Sequence, residues 1–225
     1  MKMQERVDGI LTLFDEQYGT DIETYLEYDY KKPWQLLFAT ILSAQCTDAR
    51  VNMVTKDLYK KYRTVEAFAK ADREELEKDI HSIGFYRMKA KNLIGCAQML
   101  LTEFHGEVPA TIEELTMLPG VGRKTANVVR GNIYRDPSVV VDTHVKRIAK
   151  RLGLTKETDP AKVEKDLMKV LPEDHWILFN LQGIALGRSI CKAPTPRCES
   201  CYLTAYCRQY AEDQKKKKGT GKRKA

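Results

Sequence analysis

No apolar run in this 225-residue chain approaches the eighteen or more residues that a membrane-spanning helix requires. Runs of alternating β-branched residues are scarce as well. The best of them, Val139–Val141, is too short to demand a sheet. No self-similarity recurs at a fixed period, which excludes a solenoid or propeller. The N-terminus, MKMQERVDGILTLF, interleaves charge with apolar residues at helical spacing, where a secretory leader would carry an unbroken apolar stretch. These absences predict a soluble, cytoplasmic, all-α protein with no membrane partner. A length of 225 residues admits one large or two small domains, each long enough to bury a core.

What is present is helical periodicity. Val7, Ile10, Leu11 and Phe14 recur at i, i+3, i+4 and i+7, predicting an amphipathic helix that ends near Gly19. Pro33 opens PWQLLFATILSAQ, apolar nearly all round, which predicts a buried central helix. Thr47 or Asp48 caps the next helix. Shorter helices are predicted over Val65–Lys70 and Arg73–Ile80, and a longer one from Arg87 to Phe104. Thr111–Leu118 and Arg123–Tyr134 form a helix–hairpin–helix pair, followed by helices over Thr143–Leu152, Pro160–Val170 with Asp159 as cap, and His175–Arg188.

The net charge of +7 points to an acidic partner, but its distribution matters. The tail 211–225 carries seven basic residues against Glu212 and Asp213, so it accounts for five of the seven surplus charges. It reads as a disordered, solvated run with non-specific attraction to nucleic acid. In the body, Arg123, Lys124, Arg130, Arg135, Lys146, Arg147, Lys150 and Arg151 cluster in sequence against only Asp136 and Asp142.

The segment LPGVGRKTANVV (residues 118–129) places two glycines before a helix start. Gly120 and Gly122 permit positive φ and close approach, and free amides at the helix start favour an anion. Leu118, Pro119, Gly120, Val121 and Gly122 are therefore candidate phosphate contacts. Lys124 lies in the first turn, where the helix dipole disfavours a cation. On these grounds alone it is a bystander, a phosphate contact or a nucleophile.

Cys191, Cys198, Cys201 and Cys207 follow C-x6-C-x2-C-x5-C spacing. In a reducing compartment four thiols so close together read as metal ligands rather than disulfides. Zinc would be satisfied by four thiolates, although structural zinc sites usually pair two close knuckles. Here one close pair is wrapped by two outer ligands, as for a cubane iron–sulfur cluster. Spacing leaves both open. Cys46 and Cys96 stand alone and read as small buried residues.

The glycine hairpin with Lys124, the VDTHV of 141–145 and the cysteine loop follow one another as in the endonuclease III family of DNA glycosylases, which this chain resembles from its first helix to Cys207. The resemblance implies two helical domains. One is a six-helix barrel carrying the helix–hairpin–helix, over 26–136. The other, an iron–sulfur cluster domain, is built from 1–25 and 137–210, with the tail 211–225 left over. It implies an active-site cleft between the two and one 4Fe-4S cluster on the four cysteines. It also implies a base-excision-repair enzyme acting as a monomer on double-stranded DNA that contains damaged pyrimidines or abasic sites, in the prokaryotic nucleoid.

By the same resemblance Lys124 is the nucleophile that forms a Schiff base, and Asp142 the catalytic carboxylate. To attack, the amine must be neutral, a state favoured by desolvation, the helix N-terminus and neighbouring cations. A related adenine-specific branch carries serine at the Lys124 position. Asp142 also precedes THVKRIAKRL as an ordinary N-cap, and the two roles are compatible. His144 is positional. Gln45 is implied as the residue that plugs the hole left by an extruded base, and Phe85 as the wedge beside it. Many relatives have leucine at the wedge, and a ring adds stacking. Asp48 lines the pocket or caps its helix. Lys192, Arg197 and Arg208 are implied phosphate contacts on the cysteine loop. Many relatives have two adjacent basic residues there, where this chain has Pro194 and Thr195.

Overall fold

The computed structural model describes residues 1–221, and among them every regular element is helical. The chain divides into two compact units. One is Thr24–Asp136, and the other joins Met1–Glu23 to the chain from Pro137 onward. Helix α1 (Met3–Tyr18) opens the chain, and its Val7, Ile10, Leu11 and Phe14 are buried as their spacing predicts.

The unit 24–136 holds α2 (Pro33–Ser43), α3 (Asp48–Lys61), α4 (Val65–Ala69), α5 (Arg73–Asp79), α6 (Tyr86–Glu103), α7 (Ile112–Met117) and α8 (Arg123–Ile133). Pro33 occupies the first turn of α2, where its missing N–H costs nothing. Every residue from Trp34 to Leu42 is buried, so α2 is the central helix that its apolar sequence predicts. It abuts α3, α6 and α8. An aromatic cluster anchors one side: Phe38 meets Phe68 edge-on at 4.9 Å, and Trp34 lies 5.5 Å from Phe38. Thr47, not Asp48, caps α3, its hydroxyl accepting from the Arg50 amide at 3.3 Å. Asp48 is the first residue inside that helix.

The other unit adds α9 (Thr143–Leu152), α10 (Pro160–Val170), α11 (Trp176–Ser189) and α12 (Arg208–Gly221) to α1. Its core joins Ile10 and Phe14 of α1 to Ile148, Leu167 and Phe179. Val139 and Val140 are buried and Val141 is half-buried, but the run has no strand partner among the described residues, so it remains extended chain. The Asn180 side chain donates to the Val140 carbonyl at 3.0 Å and supplies what a sheet would otherwise give.

Residues 211–221, read from the sequence as a disordered tail, instead continue α12. Pairs at i, i+4 account for its start: Arg208 Nε lies 2.8 Å from Glu212, and Gln209 donates to Asp213 at 3.0 Å. The rest of the predicted tail, 222–225, lies outside the described residues.

A charged contact ties the C-terminal end of α1 to the start of α11. His175 Nε2 is 3.1 Å from Asp15 and its Nδ1 is 2.6 Å from Asp174, while Gln182 donates to Asp15 at 2.8 Å. Burial pushes the imidazolium toward neutrality. Hydrogen bonds and charge from Asp174 and Asp15 outweigh that and raise its pKa above the ordinary histidine value. Because the folded-state pKa is raised, the contribution is fully present below the unfolded value near 6.5 and is lost as pH rises through the folded value. Urea denaturation at pH 6 and pH 8.5 should show wild type losing on the order of 1 kcal/mol more than His175→Gln over that interval.

Candidate active site and nucleic-acid interface

In the hairpin between α7 and α8 the Leu118 and Val121 amides bond carbonyls of the turn and Pro119 has no N–H, so of the five residues expected to meet phosphate only Gly120 and Gly122 offer amides. Gly120 has φ 82°, in the left-handed region, and a Cβ there would lie 2.9 Å from the Asn92 side chain. Pro119 packs onto α6, where a Cβ on Gly95 would come within 3.3 Å of its ring. Leu118 and Val121 are buried and hold the turn to the core, with the Val121 amide donating to the Leu118 carbonyl at 3.1 Å. Gly122 caps α8, and the space where its side chain would be is open. The first-turn amides of a helix have no acceptor within it, so this end of α8 suits an anionic ligand. Gly120→Ala combines a left-handed backbone with a steric overlap. It should cost about 1–2 kcal/mol in a urea melt and weaken binding to a DNA duplex.

Lys124 is the second residue of α8 and is exposed. The protein around it does not by itself provide the desolvation that the sequence reading asked for.

Two more predicted residues are on the same unit. Gln45 (φ 55°) and Phe85 (φ 60°) both adopt left-handed backbone, which residues with side chains rarely do. Both are exposed, and Phe85 shows 68% of its surface, unusual for a large ring. Neither behaves as a core residue. Cys96 is fully buried, and burial pushes its thiol up to about 12. Cys46 is only half-buried.

In the other unit Asp142 is the N-cap of α9, its Oδ1 accepting from the Val145 amide at 2.8 Å. The carboxylate is thereby fixed in orientation and stays half-buried. His144 packs on α11, where a Cβ on Gly187 would lie 2.4 Å from its Nδ1, and it contacts Arg147 at 3.1 Å. That is a positional role.

The four loop cysteines line one cavity with Arg151, Pro196 and Leu203. Burial first, then the charge of the other thiols, raises Cys201 and Cys207 above the usual thiol range. No group of three or more His, Cys, Asp or Glu among the described residues is arranged to hold a metal ion. The cysteines thus line a space rather than close on a point.

The basic cluster seen in the sequence is divided in the structure. Arg130 pairs with Asp136. Arg147 donates to the Cys191 carbonyl at 3.0 Å, and Arg151 donates to the Lys192 carbonyl at 2.9 Å with its Nη1 3.3 Å from Cys191 Sγ. Arg130 is matched by a carboxylate, whereas Arg147 and Arg151 fix the start of the cysteine loop through neutral acceptors and keep their charge. Lys192, Arg197 and Arg208 are exposed on or beside the cysteine loop. Sequence reasoning missed Lys89, which is buried, and Asn180. The one available signal was a polar residue in an apolar helical setting.

Known proteins are similar to this chain in sequence and fold. Residues 38–173 match the HhH-GPD superfamily of base excision DNA repair proteins. Endonuclease III of Synechocystis sp. is 53% identical over 180 residues, covering 80% of this chain and 82% of that protein. Endonuclease III of Bacillus subtilis is 47% identical over 199 residues, 88% and 90% of the two chains. A solved structure of a trapped endonuclease III–DNA covalent intermediate, an estranged-adenine complex, aligns with a TM-score of 0.88 at 43% identity over 95% of this chain and 100% of that one. The chain belongs to the endonuclease III family. As a member of that family it is a base-excision-repair DNA glycosylase. No helix among its described residues is long and apolar enough to cross a membrane.

Proposed function

We propose that this endonuclease III family member is a bifunctional glycosylase and abasic-site lyase for oxidised or saturated pyrimidines in duplex DNA, acting as a monomer in the prokaryotic cytoplasm. The observation that carries the reading is Lys124. It is a free-standing amine in the first turn of α8, directly after a hairpin whose amides suit phosphate. At that position the helix dipole opposes a charge on the lysine and favours its neutral amine. That opposition assists a nucleophile, which must be neutral, and a DNA backbone laid over the hairpin would supply the missing desolvation.

In this mechanism Lys124 Nζ attacks C1′ of the damaged nucleoside and the glycosidic bond breaks, its electron pair leaving with the base. Loss of a proton from nitrogen and opening of the sugar ring leave a protonated imine. The imine acidifies the C2′ proton, and removal of that proton expels the 3′ phosphate by β-elimination. The strand is cut 3′ to the abasic site. Asp142, held by the Val145 amide, offers a fixed carboxylate for the positive charge that develops on the sugar and for proton transfer. Gln45 fills the vacated position in the duplex, and Phe85 wedges and stacks beside it.

Cys191, Cys198, Cys201 and Cys207 would hold one 4Fe-4S cluster, which when bound ties the loop together. The shared cavity and the Arg151 N–H beside Cys191 Sγ suit thiolate ligands. Lys192 and Arg197 would then meet phosphates from the loop surface, Lys192 in part replacing the basic pair that Pro194 and Thr195 displace. Elemental analysis of purified protein should find about four irons and four acid-labile sulfides per chain. One zinc per chain would overturn the cluster assignment.

The test of the reaction is incubation with borohydride, which reduces a protonated imine to a stable amine. A thymine-glycol duplex and an abasic-site duplex should both give a covalent protein–DNA adduct. An adduct on the abasic duplex alone would keep the lyase and make thymine glycol the wrong lesion. No adduct on either would end the Schiff-base reading.

A further inference from the structure

Lys89 is buried, with 5% of its surface exposed, on the first turns of α6, where a cation opposes the helix dipole. Nothing in α6 explains it. Its partners are elsewhere: Nζ donates to the Leu42 carbonyl at 2.8 Å and to the Ala44 carbonyl at 2.6 Å. These carbonyls belong to the last turn and the C-cap of α2, where unsatisfied acceptors collect and the dipole welcomes a cation. The residue after Ala44 is Gln45, in left-handed backbone at φ 55°. Four residues before Lys89 is Phe85, also left-handed, which caps α6 and accepts the Lys89 amide on its carbonyl at 3.1 Å. Between the two, a Cβ placed on Gly84 would sit 3.9 Å from the Gln45 carbonyl oxygen, so the two loops touch.

We infer that Lys89 is a positioning residue: its buried ammonium locks the end of α2 to the start of α6, so that Gln45 and Phe85 are presented as one preformed device for filling duplex DNA after a base is extruded. This rests on the roles proposed above for Gln45 and Phe85. The physical argument is preorganisation. Each left-handed residue costs about 1 kcal/mol or more and persists only where its surroundings over-determine it. A device that must enter the duplex while the base is out gains by having that cost already met before DNA arrives. A buried ammonium held by two carbonyls also costs desolvation, and burial lowers the Lys89 pKa, opposed in part by Cys46. An apolar side chain of the same length would avoid that cost but would leave the Leu42 and Ala44 carbonyls without this donor and the end of α2 untied from the start of α6.

The experiment compares wild type with Lys89→Met, which keeps length and burial but loses both hydrogen bonds. Single-turnover excision of thymine glycol from a duplex should slow by about 10- to 100-fold. Borohydride trapping on an abasic site in a single strand, where no stack has to be filled, should proceed as in wild type. Equal loss on both substrates would mean a general structural role and would overturn the proposal, as would no loss on either. A double-mutant cycle guards against a variant that is merely less stable. If Lys89 acts through Gln45, then Lys89→Met should add no more than about twofold to the defect of Gln45→Ala. A full multiplicative loss would show that the two act separately and would sink the idea. Should wild type give no adduct on any substrate, the function proposed above would be the part that failed, and this inference would fall with it.

Discussion

Replacing Lys124 by alanine should abolish the borohydride-trapped adduct on both duplexes while leaving duplex affinity within a few-fold of wild type. The amine is the only group in the proposed sequence that bonds to C1′, so nothing remains to be reduced onto DNA once it is gone. Loss of a covalent nucleophile commonly lowers turnover by several orders of magnitude, and strand cleavage should fall by about 10³-fold or more. Stability should barely move, because Lys124 is exposed and α8 gains slightly when a cation leaves its first turn. Lys124→Gln, which keeps length and polarity, should behave the same way in trapping. A variant that still formed adducts would place the nucleophile elsewhere. One that lost affinity in parallel with cleavage would make Lys124 a phosphate contact.

The second large effect separates two roles that one side chain holds. Asp142 both caps α9 and, in the proposed mechanism, supplies the catalytic carboxylate. Asparagine is as good an N-cap as aspartate and has the same shape, so Asp142→Asn keeps the bond from the Val145 amide while removing the negative charge. Its urea midpoint should match wild type within error, and its excision rate should fall by about 10²- to 10⁴-fold. Asp142→Ala should show the same rate loss and, in addition, about 1 kcal/mol of destabilisation. If Asp142→Asn retained full activity, Asp142 would be a cap and nothing more.

Much of the architecture could be read from residue spacing, because local rules governed it. The apolar positions of α1, the all-round apolar α2, and the caps Thr47, Asp142 and Asp159 each depend on neighbours within a turn of helix. The hairpin was legible at Gly120, which is left-handed, but not at Gly122, whose φ of −102° is extended backbone open to any residue. What could not be read is what distant chain decides. The sequence offers no sign that Arg147 and Arg151 turn toward Cys191, some forty residues away, instead of facing a ligand. Nor does it show that Gln45 and Phe85 adopt left-handed backbone, because each sits there against its own preference. The exposure of Lys124 is of the same kind: a helix start can be inferred locally, but solvent access is a property of everything around it. Residues 211–221 failed differently. Their charge suggested disorder, and it was the four-residue spacing of Arg208 with Glu212 and Gln209 with Asp213 that continued the helix.

The discontinuous unit carries a consequence for how the protein is made. Helix α1 leaves the ribosome before the unit 24–136, yet Ile148, Leu167 and Phe179, which share its buried cluster, are encoded beyond that unit. During synthesis α1 must wait with its apolar stripe unmatched while the intervening unit collapses on its own contacts. Once α9 to α11 have emerged the first helix finds its place, closing a long loop late, where the entropic penalty for doing so is already reduced by the folded segment between. Helix α1 is therefore made before the unit 24–136 and becomes native after it.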